Sequence, residues 1–134
     1  MNQAALLSKY RREAAATASP TNLLTMLYDR LVLDLDRAVA ALERDDRPEA
    51  NTQLAHAQDI VHALRESLDV DAWEGGPSLR SLYDYLLGEL VGANVTRDAA
   101  RVTACRDLVV PLRDAWHEAA ATPGTATGPT STVG

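Results

Sequence analysis

Three interruptions constrain this sequence more than any other feature. RDDRP at 44–48, DVDAWEGGP at 69–77 and NVT at 94–96 each hold proline or turn residues, and they separate four long segments with helical periodicity. Ser19-Pro20 opens the first, since Ser at the N-cap accepts from a free backbone N–H and Pro at the first helical position loses no bond. The expected helices run from 20 to about 44, from 48 to about 68, from 77 to about 93, and from a Thr96 cap to about 121. Pro111 lies inside the last and predicts a kink, because it deletes the bond to the carbonyl four residues back. Ahead of them, residues 3–16 form a short helical arm carrying Leu6, Leu7 and Tyr10. Long helices with short connections predict an all-α fold, an antiparallel four-helix bundle with a short extra N-terminal helix. The bundle is one domain over 1–121, with the arm at 1–18. The Gly, Pro, Ser and Thr of 122–134 predict a disordered tail.

The apolar stripes support a bundle and also exceed what it needs. At 100° per residue, Leu54, Ala57, Val61, Leu64 and Leu68 share one face, as do Val102, Cys105, Val109, Leu112 and Trp116. Each is a single stripe. In the first long segment Leu24, Leu27, Tyr28, Leu31, Leu35, Ala38 and Leu42 suffice for a core, yet Met26 and Leu33 lie nearly opposite them, with Leu23 between the faces. The third segment repeats the surplus. Leu79, Leu82, Tyr83, Leu86 and Leu90 point one way, Leu87 and Val91 lie on a flank, and Gly88 and Gly92 leave a bare strip beside Tyr85. An interior glycine costs about 1 kcal/mol relative to alanine, and a shallow groove for another backbone is one compensation. Two readings of the surplus remain open: the arm and the neighbouring helices cover it, or a partner helix does.

Composition excludes several classes. With 46% hydrophobic and 24% charged residues the chain falls near the globular average, so it folds, and the dominance of Ala and Leu without any Phe favours helix. A net charge of −6 and no dense Lys/Arg cluster argue against nucleic acid. No apolar run approaches the ~20 residues of a membrane span, and MNQAALLSKYRR does not resemble a signal peptide, so no membrane insertion and a cytoplasmic location are expected.

The enzyme reading with most content is a carboxylate-bridged metal pair, because bundle enzymes of that kind place an acid and a His three residues apart on two helices. Asp59 with His62 and Asp114 with His117 have that spacing. All four lie more than about 100° from the centres of their apolar stripes, on the solvent side, and cannot converge. His56 has no ligand-type neighbour at useful spacing. Cys105, among Val102, Val109 and Leu112, reads as a small buried hydrophobe, and Gly75-Gly76-Pro77 lacks the Lys and Ser/Thr of a phosphate loop. No catalytic residue, metal or cofactor is expected.

Tyr10, Thr17-Ala18-Ser19-Pro20, Leu23-Leu24 and Met26-Leu27-Tyr28-Asp29 resemble the opening of the flagellar secretion chaperone family FliS. Leu82-Tyr83-Asp84-Tyr85-Leu86, Leu90, Ala93-Asn94, Asp98, Leu112-Arg113 and Trp116 are similar to its second half, so the likeness spans 10–118. Arg30, Gly88, Gly92 and Pro111 depart from the pattern. The resemblance implies a non-enzymatic chaperone that holds the disordered C-terminal segment of flagellin in the cytoplasm, prevents its premature polymerisation and delivers it to the type III export gate. It also implies contact with an export-gate component and other flagellar regulators. The partner-binding residues expected on this basis are Tyr10, Leu23, Met26, Leu27, Tyr28, Leu33, Tyr83, Tyr85, Leu87 and Val91. A helical adaptor for another client, or a bundle enzyme that binds a metal through carboxylate and His, is the alternative.

Overall fold

A computed structural model describes residues 20–72 and 74–121. The four expected helices are α1 (Pro20–Glu43), α2 (Arg47–Ser67), α3 (Gly76–Thr96) and α4 (Ala99–Ala121). Each packs on the next in the chain and α4 packs back on α1, so the helices form a closed ring. Perimeter pairs set the directions. Asp29 meets His117 and Asp36 meets Arg106, so α1 and α4 run antiparallel; Asn51 with Asn94 and Arg65 with Asp84 do the same for α2 and α3. The expectations for the arm at 1–18, the Ser19 cap and the tail at 122–134 lie outside the described residues.

Both tight turns use one device. α1 ends with Asp45 in the left-handed region (φ 58°), and the Asp46 N–H reaches the Ala41 carbonyl at 2.8 Å. α3 ends with Arg97 at φ 55°, and the Asp98 N–H reaches the Ala93 carbonyl at 3.1 Å. Such closures satisfy carbonyls that a helix end leaves free. The following Asp then starts the next helix: the Asp46 carboxylate accepts from the Glu49 N–H at 3.1 Å, and that of Asp98 from Ala100 and Arg101 at 3.0 and 3.3 Å. The expected Thr96 cap is thereby corrected. α3 continues through Asn94 and Val95, and the Thr96 hydroxyl donates back to the Gly92 carbonyl at 2.8 Å. α4 continues through Pro111, which is exposed, so the carbonyl it leaves unbonded lies on the solvent side.

The predicted stripes meet in the ring. Leu27, Leu31, Leu35, Leu54, Ile60, Val61, Leu64, Leu86, Leu90 and Val102 are buried, and Leu24, Leu42, Leu68, Leu82 and Leu112 seal the edges. Without Phe, the large aromatic volume comes from Tyr28, Tyr83 and Trp116. Tyr28 and Tyr83, on opposite sides of the ring, share a hydrogen bond between their hydroxyls at 2.5 Å. Burial pushes the Tyr28 hydroxyl up to about 12, and burial followed by the nearby Tyr28 pushes Tyr83 well above its ordinary value. The Trp116 indole is buried close to this pair, on the side of Tyr28.

Removing one of the two hydroxyls orphans the other in a dry site, which costs about 1–3 kcal/mol, whereas removing both leaves nothing unpaired. Tyr28→Phe and Tyr83→Phe should therefore each destabilise, and the double substitution should cost clearly less than their sum. The pair also fixes an alkaline limit. Above the ordinary value of 10.0 the unfolded chain gives up the Tyr28 proton while the folded chain holds it to about 12, so stability falls as pH rises through that window. Urea melts at pH 8 and above pH 10 check both points, and the double variant should show a shallower alkaline loss.

Candidate interaction surface

The groups that could do chemistry do not converge. Asp114 and His117 are exposed on α4, and His117 Nε2 lies 2.6 Å from Asp29 Oδ1 of α1. Asp59 and His62 are half-buried on α2. Among the described residues no three His, Cys, Asp or Glu side chains come together as metal ligands. Burial, then the charge of Glu89, pushes the Cys105 thiol up to about 11, far from the thiolate a nucleophile needs.

His56 corrects an expectation. Its Nδ1 bonds Asp34 Oδ2, and the other oxygen of Asp34 accepts from Arg30 Nε at 2.9 Å. Asp34 is fully buried, so one carboxylate divided between two bases pins α1 to α2. Spacing along the chain could not show this, because the partners are 22 residues apart. The available signal was Asp34 itself, an acid 340° from Leu27 in helical phase and therefore inside the apolar stripe.

The surplus apolar surface is real and lies on three helices. Leu33 on α1 is 39% exposed, Tyr85 on α3 53%, Val91 50%, Val95 75%, and Leu108 on α4 42%. Met26 is half-buried, while Leu23 and Leu87 lean on the edge of the core. Leu27, Tyr28 and Tyr83, also expected to bind a partner, are buried in the core at 0%, 0% and 3% exposure; they hold the helices that carry the exposed residues and present no surface themselves. Tyr10 lies outside the described residues. Val95 and Leu108 were missed. Val95 had been assigned to a turn, yet with α3 reaching Thr96 it extends the row Leu87, Val91, Val95 at four-residue spacing.

The expected bare strip is half filled. A Cβ at Gly88 would meet nothing within 4 Å, whereas one at Gly92 would lie 2.3 Å from Arg101 Nη2. The Arg101 guanidinium lies across Gly92 and forks onto Glu89, Nε to Oε1 at 3.2 Å and Nη2 to Oε2 at 3.1 Å. That bond holds the Glu89 carboxyl below its ordinary value. Gly92 thus makes room for the chain's own arginine, and only Gly88 leaves open space beside Tyr85.

A bundle whose acids and histidines form no ligand cluster among the described residues, and which exposes apolar side chains on three helices, suits binding. The family model for flagellar protein FliS matches residues 1–123. The chain belongs to the FliS family. It is 33% identical over 110 residues to flagellar secretion chaperone FliS of Bacillus subtilis, covering 82% of each chain. It is 31% identical over 112 residues to that of Escherichia coli, again 82% of each, and 32% over 107 residues to that of Salmonella typhimurium, covering 78% and 79%. FliS is a family of secretion chaperones and not of enzymes. No helix among the described residues is long and apolar enough to cross a membrane.

The two glycines give this FliS member a direct test. Gly88→Ala gains helix propensity without a clash and should stabilise by about 1 kcal/mol. Gly92→Ala must displace Arg101 from Glu89 and should gain clearly less. Thermal melts that rank Gly92→Ala above Gly88→Ala would contradict the packing of Arg101 on α3.

Proposed function

We propose that this chain binds the C-terminal segment of flagellin in the cytoplasm, keeps it from polymerising early, and delivers it to the flagellar type III export apparatus. The observation that carries this reading is the distribution of Leu33, Tyr85, Val91, Val95 and Leu108 over three outer helices of a bundle whose core is already complete. A rigid partner docks on one patch; a segment that folds as it binds follows separate apolar rows around a scaffold. Ordering such a segment costs roughly 2–5 kcal/mol, and extended burial offsets it. Membership of a secretion chaperone family supports an exported flagellar client, and the resemblance in the TASP and LYD segments supports flagellin as that client. Contacts with an export-gate component and with other flagellar regulators are part of the same reading.

Calorimetry with the cognate flagellin's C-terminal peptide tests it. Leu33→Asp and Met26→Asp should each weaken binding about tenfold, equivalent to about 1.4 kcal/mol of lost burial, with an unchanged melting curve. Leu31→Asp, in the core at 1% exposure, should unfold the bundle. Full affinity in both surface variants would remove α1 from the binding surface.

The arm enters as a competitor. Leu6, Leu7 and Tyr10 lie on a segment too short to be a stable helix alone, so in this reading it docks on an apolar row until the client displaces it. Apparent affinity then falls by the fraction of molecules with the row covered. Deleting residues 1–16 should tighten peptide binding and raise binding of a hydrophobic dye. Weaker binding with unchanged folding would assign the arm to the interface instead.

A further inference from the structure

α1 carries a seven-residue repeat that the core does not require. YDRLVLD, LDRAVAA and LERDD follow one another, so that three rows run along the outer side of the helix. Met26, Leu33 and Ala40 form an apolar crest almost opposite the core stripe. Asp29, Asp36 and Glu43 line one flank of it, and Arg30, Arg37 and Arg44 line the other. Successive members of a row lie about 10.5 Å apart.

The two flanks differ in what they leave unpaired. Asp29 is bound by His117 and Asp36 by Arg106 Nε at 2.5 Å, both from α4, so the acidic row serves as a seam within the bundle. Glu43, its last member, is exposed and without a partner among the described residues. In the basic row Arg30 holds the buried Asp34, and Arg44 meets Asp46 at 3.3 Å with both side chains well exposed. Arg37, in the middle, is exposed and has no partner among the described residues. The central heptad therefore presents the half-exposed Leu33 between a neutralised acid and a free cation, on a protein whose net charge is −6.

We infer that the crest of α1 seats an amphipathic helix that carries a carboxylate on the flank of its apolar stripe opposite Arg37, the member of the Arg30, Arg37 and Arg44 row without a partner among the described residues. The inference rests on reading α1 as part of the client surface and adds the charge pattern that selects the occupant. A heptad row drifts by about 20° per repeat on a straight helix, and a helix crossing at about 20° follows that drift. Apolar contact at Met26, Leu33 and Ala40 supplies area, and Arg37 fixes register, because a shift of three or four residues removes the carboxylate from its guanidinium.

Two synthetic 21-residue helices test it against the full-length protein: one with Leu at heptad spacing and Glu every seventh residue on one flank, the other with Lys in place of Glu. The wild type should bind the Glu helix at least tenfold more tightly, and the preference should shrink between about 0.05 and 0.3 M salt. Arg37→Gln should remove most of the preference, Arg37→Glu should reverse it in favour of the Lys helix, and Arg37→Lys should retain it, all with unchanged melting. No preference in the wild type, or a preference that persists in Arg37→Glu, overturns the inference. Flagellin's C-terminal peptide separates the two readings. If it binds with dependence on Leu33 and the Glu helix shows no dependence on Arg37, the charge pattern fails and the client assignment stands. If the Glu helix depends on Arg37 and the flagellin peptide does not bind, the seat stands and the client assignment fails.

Discussion

The hydrogen bond between Tyr28 and Tyr83 joins two helices that face each other across the ring, and the rest of the structure is arranged around it. A ring of helices held by apolar contacts alone tolerates small shifts of one helix along another, because methyl groups are nearly interchangeable. Two hydroxyls in a dry interior are not: each needs the other, and a shift of one turn orphans both. The pair therefore fixes the height of α1 against α3. The perimeter contacts agree with that height, from Asn51 with Asn94 on one side to Asp36 with Arg106 on another. Buried Asp34 does for α1 and α2 what the tyrosines do for α1 and α3.

Much of this was legible in the sequence, for a physical reason. Proline and turn residues act locally, so the breaks at RDDRP and DVDAWEGGP marked helix ends correctly, and apolar periodicity over twenty-odd residues named the core with few errors. The misreadings share a cause. Thr96 looked like a cap because capping is judged from residue type, whereas the choice between Thr96 and Asp98 depended on Arg97 entering the left-handed region. The bare strip at Gly92 was drawn on one helix, and the arginine that fills it comes from the next. His56 lacked a visible partner because tertiary contact alone brings Asp34 to it. Tyr28 and Tyr83 were placed both in the core and in the binding set, and burial decides for the core.

Exposure, by contrast, was only half legible. Periodicity located Leu33, Tyr85 and Val91 off the core stripes, and all three are exposed. It could not distinguish a residue leaning on a neighbouring helix, such as Leu87, from one that does not, because the difference depends on where the adjacent helix passes. The exposed residues are also spread over α1, α3 and α4 rather than gathered. Separate small patches carry less risk of self-association than one large patch of equal area, since no second copy can cover them all at once with a flat contact.

The repeat in α1 connects these points. Each heptad supplies an inward apolar pair or triplet for the core, an acid on the α4 side and an apolar residue with an arginine on the outer side. Because one backbone carries all three rows, their relative phases are fixed at 100° per residue and cannot drift separately. Packing of Leu27, Leu31 and Leu35 into the core sets the rotation of α1 about its axis, and that rotation aims Leu33 and Arg37 at solvent. Asp29 and Asp36 hold the same rotation from the surface by engaging α4. The outer face is therefore presented in a defined orientation, and a segment that ordered on it, as in the function proposed above, would meet a track that needs no ordering of its own.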